Sequence, residues 1–424
     1  MNSHQSPPRD SLIARRISSA QCRLTVLRGI ALAFILSAGT PGAWAQSSKP
    51  FKIGILSDMS GPVADNSGAG SVVAAKMAIE DFGGKVLGRP IELLVGDHLN
   101  KPDVGLTIVR QWYDSDVRAV FDVGIATVAI AVQDLTKEKN RIVVFTSSAS
   151  ADLTGKYCSP NGIQWVYNSY AQAQAPIKGM MDAGGKSWYF ITVDYTFGKT
   201  VQRDATEMVV KAGGKVTGAT THPLSATDFS SQLLQAQASK AQVIGLATPS
   251  VQAPGMIKQA SEFGIIDGGQ RLAPLSMVLS DIKALGLKAA QGLYVGEAYY
   301  WDQNDETRKF AMRYKERLGK DRMPSMMQAG TYGAVMHYLQ AVAAAGTDDT
   351  AADLAKMRSM PINDFMTKNG TIREDGQVMR DFYIFRVKKP SESRSAWDLY
   401  MPVATLPAKD AFRKADKAIC PLVK

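Results

Sequence analysis

Residues 141–150 read RIVVFTSSAS, in which four apolar residues, Ile142 to Phe145, give way at once to small side chains, mostly hydroxyls, from Thr146 to Ser150. A short run of β-branched and aromatic residues without polar alternation marks a strand covered on both faces, as in a parallel sheet. Open parallel sheets bind ligands beyond the carboxyl ends of their strands. An abrupt change to hydroxyls at that end therefore puts a polar wall where a cleft belongs.

Upstream, the same reading gives the strand Phe51–Ser57, a helix over about 68–82, the strand Pro90–His98, a helix over about 103–114, the strand Arg118–Gly124 and a helix over about 127–139. With 141–146 these form one doubly wound unit. A second unit begins near Ala171, with strands at Ser187–Val193, Lys215–Thr220, Ala241–Ala247 and Arg271–Leu275. Gly292–Tyr300 reads as a further crossing before helices at Thr307–Leu318 and Met326–Ala345, and the chain closes with a hairpin through Gly370–Lys388 and a tail. The expected fold is α/β, with lobe 1 at 51–168 and 300–360, lobe 2 at 169–299 and 361–390, and 391–424 packing back on both. A length of 424 residues suits two cores better than one.

The first 45 residues stand apart. Arg15, Arg16, Arg23 and Arg28 precede an apolar run, Ile30–Ala38, and the small-x-small triplet Ala43-Trp44-Ala45, the layout of a signal peptide cut after Ala45. The apolar run is shorter than a membrane helix, which needs about 20 residues. Cleavage removes five arginines and one aspartate and lowers the formal charge from +10 to +6. The remaining charges are interspersed, with no basic stripe carrying aromatics, which argues against nucleic acid as a partner. Beyond the leader only Cys158 and Cys420 are cysteines. In an exported chain they invite a disulfide, the alternative being two unrelated thiols.

The strand ends form a set: Ser57–Pro62, Gly124–Thr127, Thr146–Ser150, Asp194–Gly198 and Ala247–Ser250. Hydroxyls and small residues recur there, where helix N-caps are also expected. Exposed helix N-termini beside hydroxyls suit an anion such as a carboxylate. His98, His222 and His337 are scattered without metal-ligand spacing, and no Cys/His pair, nucleophile elbow or phosphate loop appears. Neither enzyme chemistry, nor a metal, nor a cofactor is expected. The strand-end acids Asp58, Asp97 and Asp194 read as turn formers.

Phe51–Leu56 with Met59-Ser60-Gly61-Pro62, Gly83-Gly84-Lys85 with Leu87–Ile91, Asp194–Gly198, Thr227–Ser230 and Gln259–Gly264 resemble the leucine/isoleucine/valine-binding protein family. These are the solute receptors of bacterial ABC importers, and the resemblance runs from Phe51 to Lys388. It implies the type I periplasmic binding protein fold: two Rossmann-like lobes with parallel sheets, joined by three crossings and closing on a ligand by hinge motion. It implies further a periplasmic, monomeric receptor that hands its ligand to an inner-membrane permease. By position, the pocket falls near Asp65 and Asn66, on Ala126, Thr127, Ser148, Ala149 and Ser150, and in lobe 2 on Tyr195, Phe197, Thr248, Leu275 and Ser276.

Amino-acid receptors of this kind place an acidic residue in lobe 2 against the ammonium. Ala273-Pro274-Leu275-Ser276 has none, and Ala126 stands where a serine is expected. A buried ammonium without a counter-charge costs several kcal/mol. The expected ligand is therefore a carboxylate without an ammonium, an aromatic acid before an aliphatic one, gripped by Thr127, Ser148 and Ser150 and resting on Tyr195, Phe197 and Tyr170. Six aromatics crowd the crossings, Trp165, Tyr167, Tyr170, Tyr299, Tyr300 and Trp301, as hinge packing or as ligand surface. Other readings are an amino-acid receptor, with Asp194 or Asp58 supplying the charge, and a ligand sensor of the same fold.

Overall fold

A computed structural model describes residues 49–424; the leader at 1–45, with its arginines, cleavage triplet and Cys22, lies outside the described residues. The first sheet is built from β1 (Phe51–Ser57), β2 (Lys85–Val86), β3 (Arg89–Asp97), β4 (Val117–Asp122), β5 (Ile142–Phe145) and β6 (Gly162–Gln164). Their order is β2-β3-β1-β4-β5-β6, parallel except for the β2–β3 pair. Between them run α1 (Gly68–Phe82), α2 (Pro102–Asp114) and α3 (Ala126–Glu138), which cover both faces. The strands can be apolar throughout for that reason: Phe51, Ile53, Ile55, Val120 and Phe121 are wholly buried. Gly54 is required by close packing, because a Cβ there would lie 2.4 Å from the Trp112 ring. α1 stops at Gly83, whose φ of 104° is left-handed and whose N–H returns to the Glu80 carbonyl.

The second lobe comprises α4 (Ser169–Asp182), β7 (Ser187–Val193), α5 (Thr196–Lys211), β8 (Lys215–His222), α6 (Ser230–Ala238), β9 (Val243–Ala247), α7 (Ala253–Glu262) and β10 (Arg271–Pro274). Its sheet, β10-β9-β7-β8, is parallel throughout. After α8 (Leu279–Leu285), α9 (Leu287–Ala290) and β11 (Tyr294–Glu297), the chain returns to the first lobe as α10 (Asp305–Leu318), α11 (Met326–Ala345) and α12 (Thr350–Ser359). Tyr338 of α11 packs its ring against Phe51 and Phe121, with centroids 6.2 and 5.6 Å away. No helix of the described residues is long and apolar enough to cross a membrane.

The last segment differs from the hairpin read at 370–388. β12 (Thr371–Ile372) and β13 (Val378–Met379) form a two-residue ladder, while β14 (Phe382–Val387) joins β11 and β15 (Tyr400–Leu406) in a separate antiparallel sheet. The ladder lies against β6 of the first sheet and α12. Gln377 bridges Gln164, the Arg358 guanidinium donates to the Arg373 carbonyl at 2.7 Å, and the left-handed Gly376 lies so close to Gly162 that a Cβ would meet its carbonyl at 2.4 Å.

Beyond β15 the tail continues through α13 (Ala408–Ala411), and Arg413 then pairs with Asp204 and Glu207 of α5 at 3.1 and 3.0 Å. It then reaches Cys420, disulfide-bonded to Cys158 of the first lobe with Cα atoms 5.9 Å apart. The tail is thus anchored to one lobe by ion pairs and to the other by a covalent bond.

Candidate functional site

The strand ends of both lobes converge on a cavity of about 450 Å³. Its first wall is the loop after β1. Asp58 folds this loop, accepting from Gly61 N at 2.7 Å, Val63 N at 3.0 Å and Asn100 Nδ2 at 3.0 Å. Gln328 Nε2 donates to the carbonyls of Asp65 and Ser67, which pins the loop to α11. Asn66, so held, accepts a hydrogen bond from Ser280 of α8 and ties the two lobes at the mouth of the cavity.

The second wall follows β4. Asp122 and Val123 both take left-handed backbone, φ 82° and 53°, a strained arrangement in residues other than glycine. That bend carries Gly124 and Ile125 to the cavity and starts α3 facing it. Ile125 is the N-cap and has no side chain able to cap. The first helical bond runs from Ala129 N to Ile125 O, so the N–H groups of Ala126 and Thr127 have no intrahelical partner. The same holds across the cleft for α5, where Tyr195 is the N-cap without a side-chain cap and Lys199 is the first donor.

The third wall continues from β5. Thr146 turns inward, donating to Asp122 Oδ1 at 3.1 Å and lying 2.8 Å from the Thr331 hydroxyl. Ser147, Ala149 and Ser150 line the cavity. Tyr167, at the crossing, lines it too and donates to the Ser147 carbonyl at 3.0 Å.

Of the residues expected from the sequence, Asn66, Ala126, Thr127, Ala149, Ser150, Tyr195, Phe197 and Ser276 line the cavity. Five lie elsewhere. Ser148 is buried beside it, its carbonyl accepting from Gln164 Nε2 at 3.1 Å. Tyr170 lies under the Arg413 guanidinium, 4.9 Å from ring centroid to carbon, in a groove between α4, α5 and the tail. Asp194 is exposed and pairs with Lys199 at 2.8 Å. Thr248 is buried against His222 Nε2 at 3.0 Å, and Leu275 is part of the lobe-2 core. Asp65 points outward to Arg322. Asp58 is occupied by three donors and Asp194 by Lys199, and neither residue lines the cavity.

Gly124, Pro249 and Ser250 were legible in the strand-end set, whereas Gln172 and Met327 lie within helices and carried no signal. Of the crossing aromatics Tyr167 alone lines this cavity. Tyr300 packs on Phe385 and Tyr400, and the Trp301 indole donates to the Trp397 carbonyl at 2.8 Å.

No lining residue is Asp, Glu, Lys, Arg or His. Two carboxyls sit one layer behind. Asp281 accepts from Val278 N at 2.9 Å beside Ser250 and Asn66, and burial pushes it from 3.8 up to about 7. Glu297 accepts from Leu279 N at 2.8 Å and from the Tyr400 hydroxyl at 3.2 Å, and burial pushes it far up as well.

The folded protein holds the Asp281 proton to higher pH than the unfolded chain does, so stability falls as pH rises from 3.8 toward about 7 and levels off above. Asp281→Asn keeps an oxygen for Val278 N and removes the titration. It should stabilise the protein by a few degrees at pH 8 and by nothing at pH 4, read by thermal melting at both. Equal shifts at the two pH values would disprove the assignment.

Residues 50–393 match the family model for periplasmic binding proteins. A periplasmic binding protein of Burkholderia mallei is 41% identical over 86% of this chain and 96% of its own, with a TM-score of 0.81. A branched-chain amino acid ABC transporter periplasmic ligand-binding protein of Burkholderia xenovorans is 36% identical over 85% and 96%, at 0.80. A solute-binding protein of Rhodopseudomonas palustris in complex with 3,4-dihydroxybenzoic acid shares the fold at 22% identity over 85% and 98%, at 0.75. No curated protein sequence matches the chain.

Proposed function

The chain belongs to the periplasmic binding protein family, the solute-binding components of ABC transporters, and from that premise we propose that it binds a small organic carboxylate lacking an ammonium group. One observation carries this reading: a cavity without charged side chains, faced from opposite walls by the uncapped N-termini of α3 and α5. Such termini carry unpaired N–H groups and partial positive charge. A carboxylate is stabilised there without a cationic side chain, while an ammonium finds no counter-charge in the lining. Tyr167, Tyr195 and Phe197 offer flat apolar surface to the body of the ligand, which favours an aromatic acid. The receptor acts as a monomer in the periplasm, closes over the ligand and delivers it to a membrane permease.

Titration calorimetry with benzoate, hydroxybenzoates, short-chain acids, leucine and valine tests the reading. Tight binding of leucine or valine with no heat from any simple carboxylate overturns it. Ser150→Ala should weaken carboxylate binding by roughly tenfold if its hydroxyl contacts the anion, and unchanged affinity would assign that contact to backbone N–H groups alone.

An amino-acid ligand is the second reading. Asp281 supports it, since its carboxyl stands directly behind Ser250, Asn66 and Val278 of the lining. Under this reading Asp281→Asn abolishes leucine binding, whereas carboxylate binding survives the change under the first.

A further inference from the structure

Three buried polar atoms without a hydrogen-bond partner stand together under the second wall: His98 Nε2, Ser147 Oγ and Asp122 Oδ2. His98 follows β3 and is fully buried. Its Nδ1 accepts from Asn100 N at 3.0 Å, so the neutral ring carries its proton on Nε2 and that nitrogen is a donor. Burial holds the imidazole below its usual pKa, against the pull of Asp122, Asp58 and Asp97, and keeps it neutral.

The donor points toward the bare side of Gly124. A Cβ built on this glycine would lie 3.4 Å from Ser147 Oγ and 3.9 Å from His98 Nε2, with no other atom closer. Gly124 and Ser147 both line the cavity. The absent side chain therefore leaves a recess in the cavity floor, walled by a fixed donor and a hydroxyl. Asp122 is fully buried nearby, one oxygen accepting from Thr146 and the other without a partner, with the hydroxyls of Ser147, Ser57 and Ser71 close to the carboxyl.

Resting on the carboxylate reading of the cleft, we propose that this recess is a subsite for a hydroxyl group of the ligand, whose oxygen accepts from His98 Nε2–H and whose hydrogen goes to Ser147 Oγ or Asp122 Oδ2. The natural ligand is then a hydroxylated carboxylate. A second carboxylate oxygen is a poor occupant, since it brings no hydrogen to Asp122 and adds like charge in a buried place. A hydroxyl is donor and acceptor at once, so its oxygen answers His98 and its hydrogen one of the two oxygens. An unpaired buried donor or acceptor is unfavourable, so a ligand lacking the hydroxyl binds less well.

The test is calorimetry with matched pairs, benzoate against its three hydroxybenzoates and propionate against lactate. In the natural protein the best hydroxylated member should bind roughly tenfold tighter than its partner. Gly124→Ala fills the recess with a methyl group in ordinary contact with Ser147 and should erase that advantage, so that the hydroxylated and plain members of each pair bind alike. His98→Phe should erase it as well, and His98→Gln, which keeps an N–H donor, should restore part of it. Equal affinity within every pair, or a hydroxyl preference that survives Gly124→Ala, overturns the subsite. If no carboxylate binds while leucine does, it is the carboxylate reading that fails and the subsite falls with it. If the His98 variants do not fold, Gly124→Ala decides alone.

Discussion

Ala126→Asp should abolish carboxylate binding while leaving the fold as stable as before or slightly more so. Ala126 is the first residue of α3, partly exposed at the cavity, and the helix lacks a capping side chain. An aspartate in a first turn is favourable to the helix by roughly 0.3 to 1 kcal/mol. The same carboxylate occupies the field that serves the ligand. Two like charges about 4 Å apart at an effective dielectric of about 20 repel by about 4 kcal/mol, or roughly a thousandfold in affinity. Ala126→Asn carries similar bulk without charge and separates crowding from repulsion. Calorimetry and thermal melting on the three proteins give the answer: an aspartate variant that binds carboxylates as tightly as the asparagine variant would show that the anion lies elsewhere.

Loss of the Cys158–Cys420 bond should produce the largest change in stability. The bond joins residues separated by 262 positions, so breaking it frees a very long loop in the unfolded chain. Loop-closure entropy puts this at about 5 kcal/mol, and measured disulfides commonly deliver 2 to 4. Cys420→Ser, Cys158→Ser and the double variant should lose the same amount, because each removes the same constraint. Denaturant unfolding of the oxidised, reduced and substituted proteins checks this. A double variant less stable than either single one by another few kcal/mol would mean that the two sulfurs stabilise separately.

The parallel sheets were legible because strands buried on both faces must be largely apolar along their length, as Ile142–Phe145 and Val243–Ala247 are. The boundaries of the cleft were legible for the same reason, since helices must begin where those strands end. Which side chain faces the cavity was not. Beyond Phe145 the chain leaves the pleat, and Gln164 draws the carbonyls of Ser148 and Ser150 toward itself, so Ser147 lines the cavity where Ser148 was expected. Leu275 stands one residue beyond β10 and still belongs to the core, because its N–H continues the ladder to the Leu246 carbonyl of β9 and its side chain joins the buried cluster that holds Ala247 and Phe190. The antiparallel sheet joins β11 to strands roughly 90 and 110 residues further on, a pairing no local pattern encodes. Tyr170 was read as a ligand platform because of its place at a crossing; its partner Arg413 comes from the far end of the chain.

Cys420 follows every strand of every sheet in the sequence, while Cys158 sits just after the fifth. Synthesis runs from the N-terminus. The Cys158 thiol is therefore made long before its partner, and the bond can close only after the last strand, β15, has been synthesised. Closure is a completion signal. A chain that ends before Cys420 keeps the Cys158 thiol, half-buried in the folded protein, without its partner and open to oxidants and to mixed disulfides.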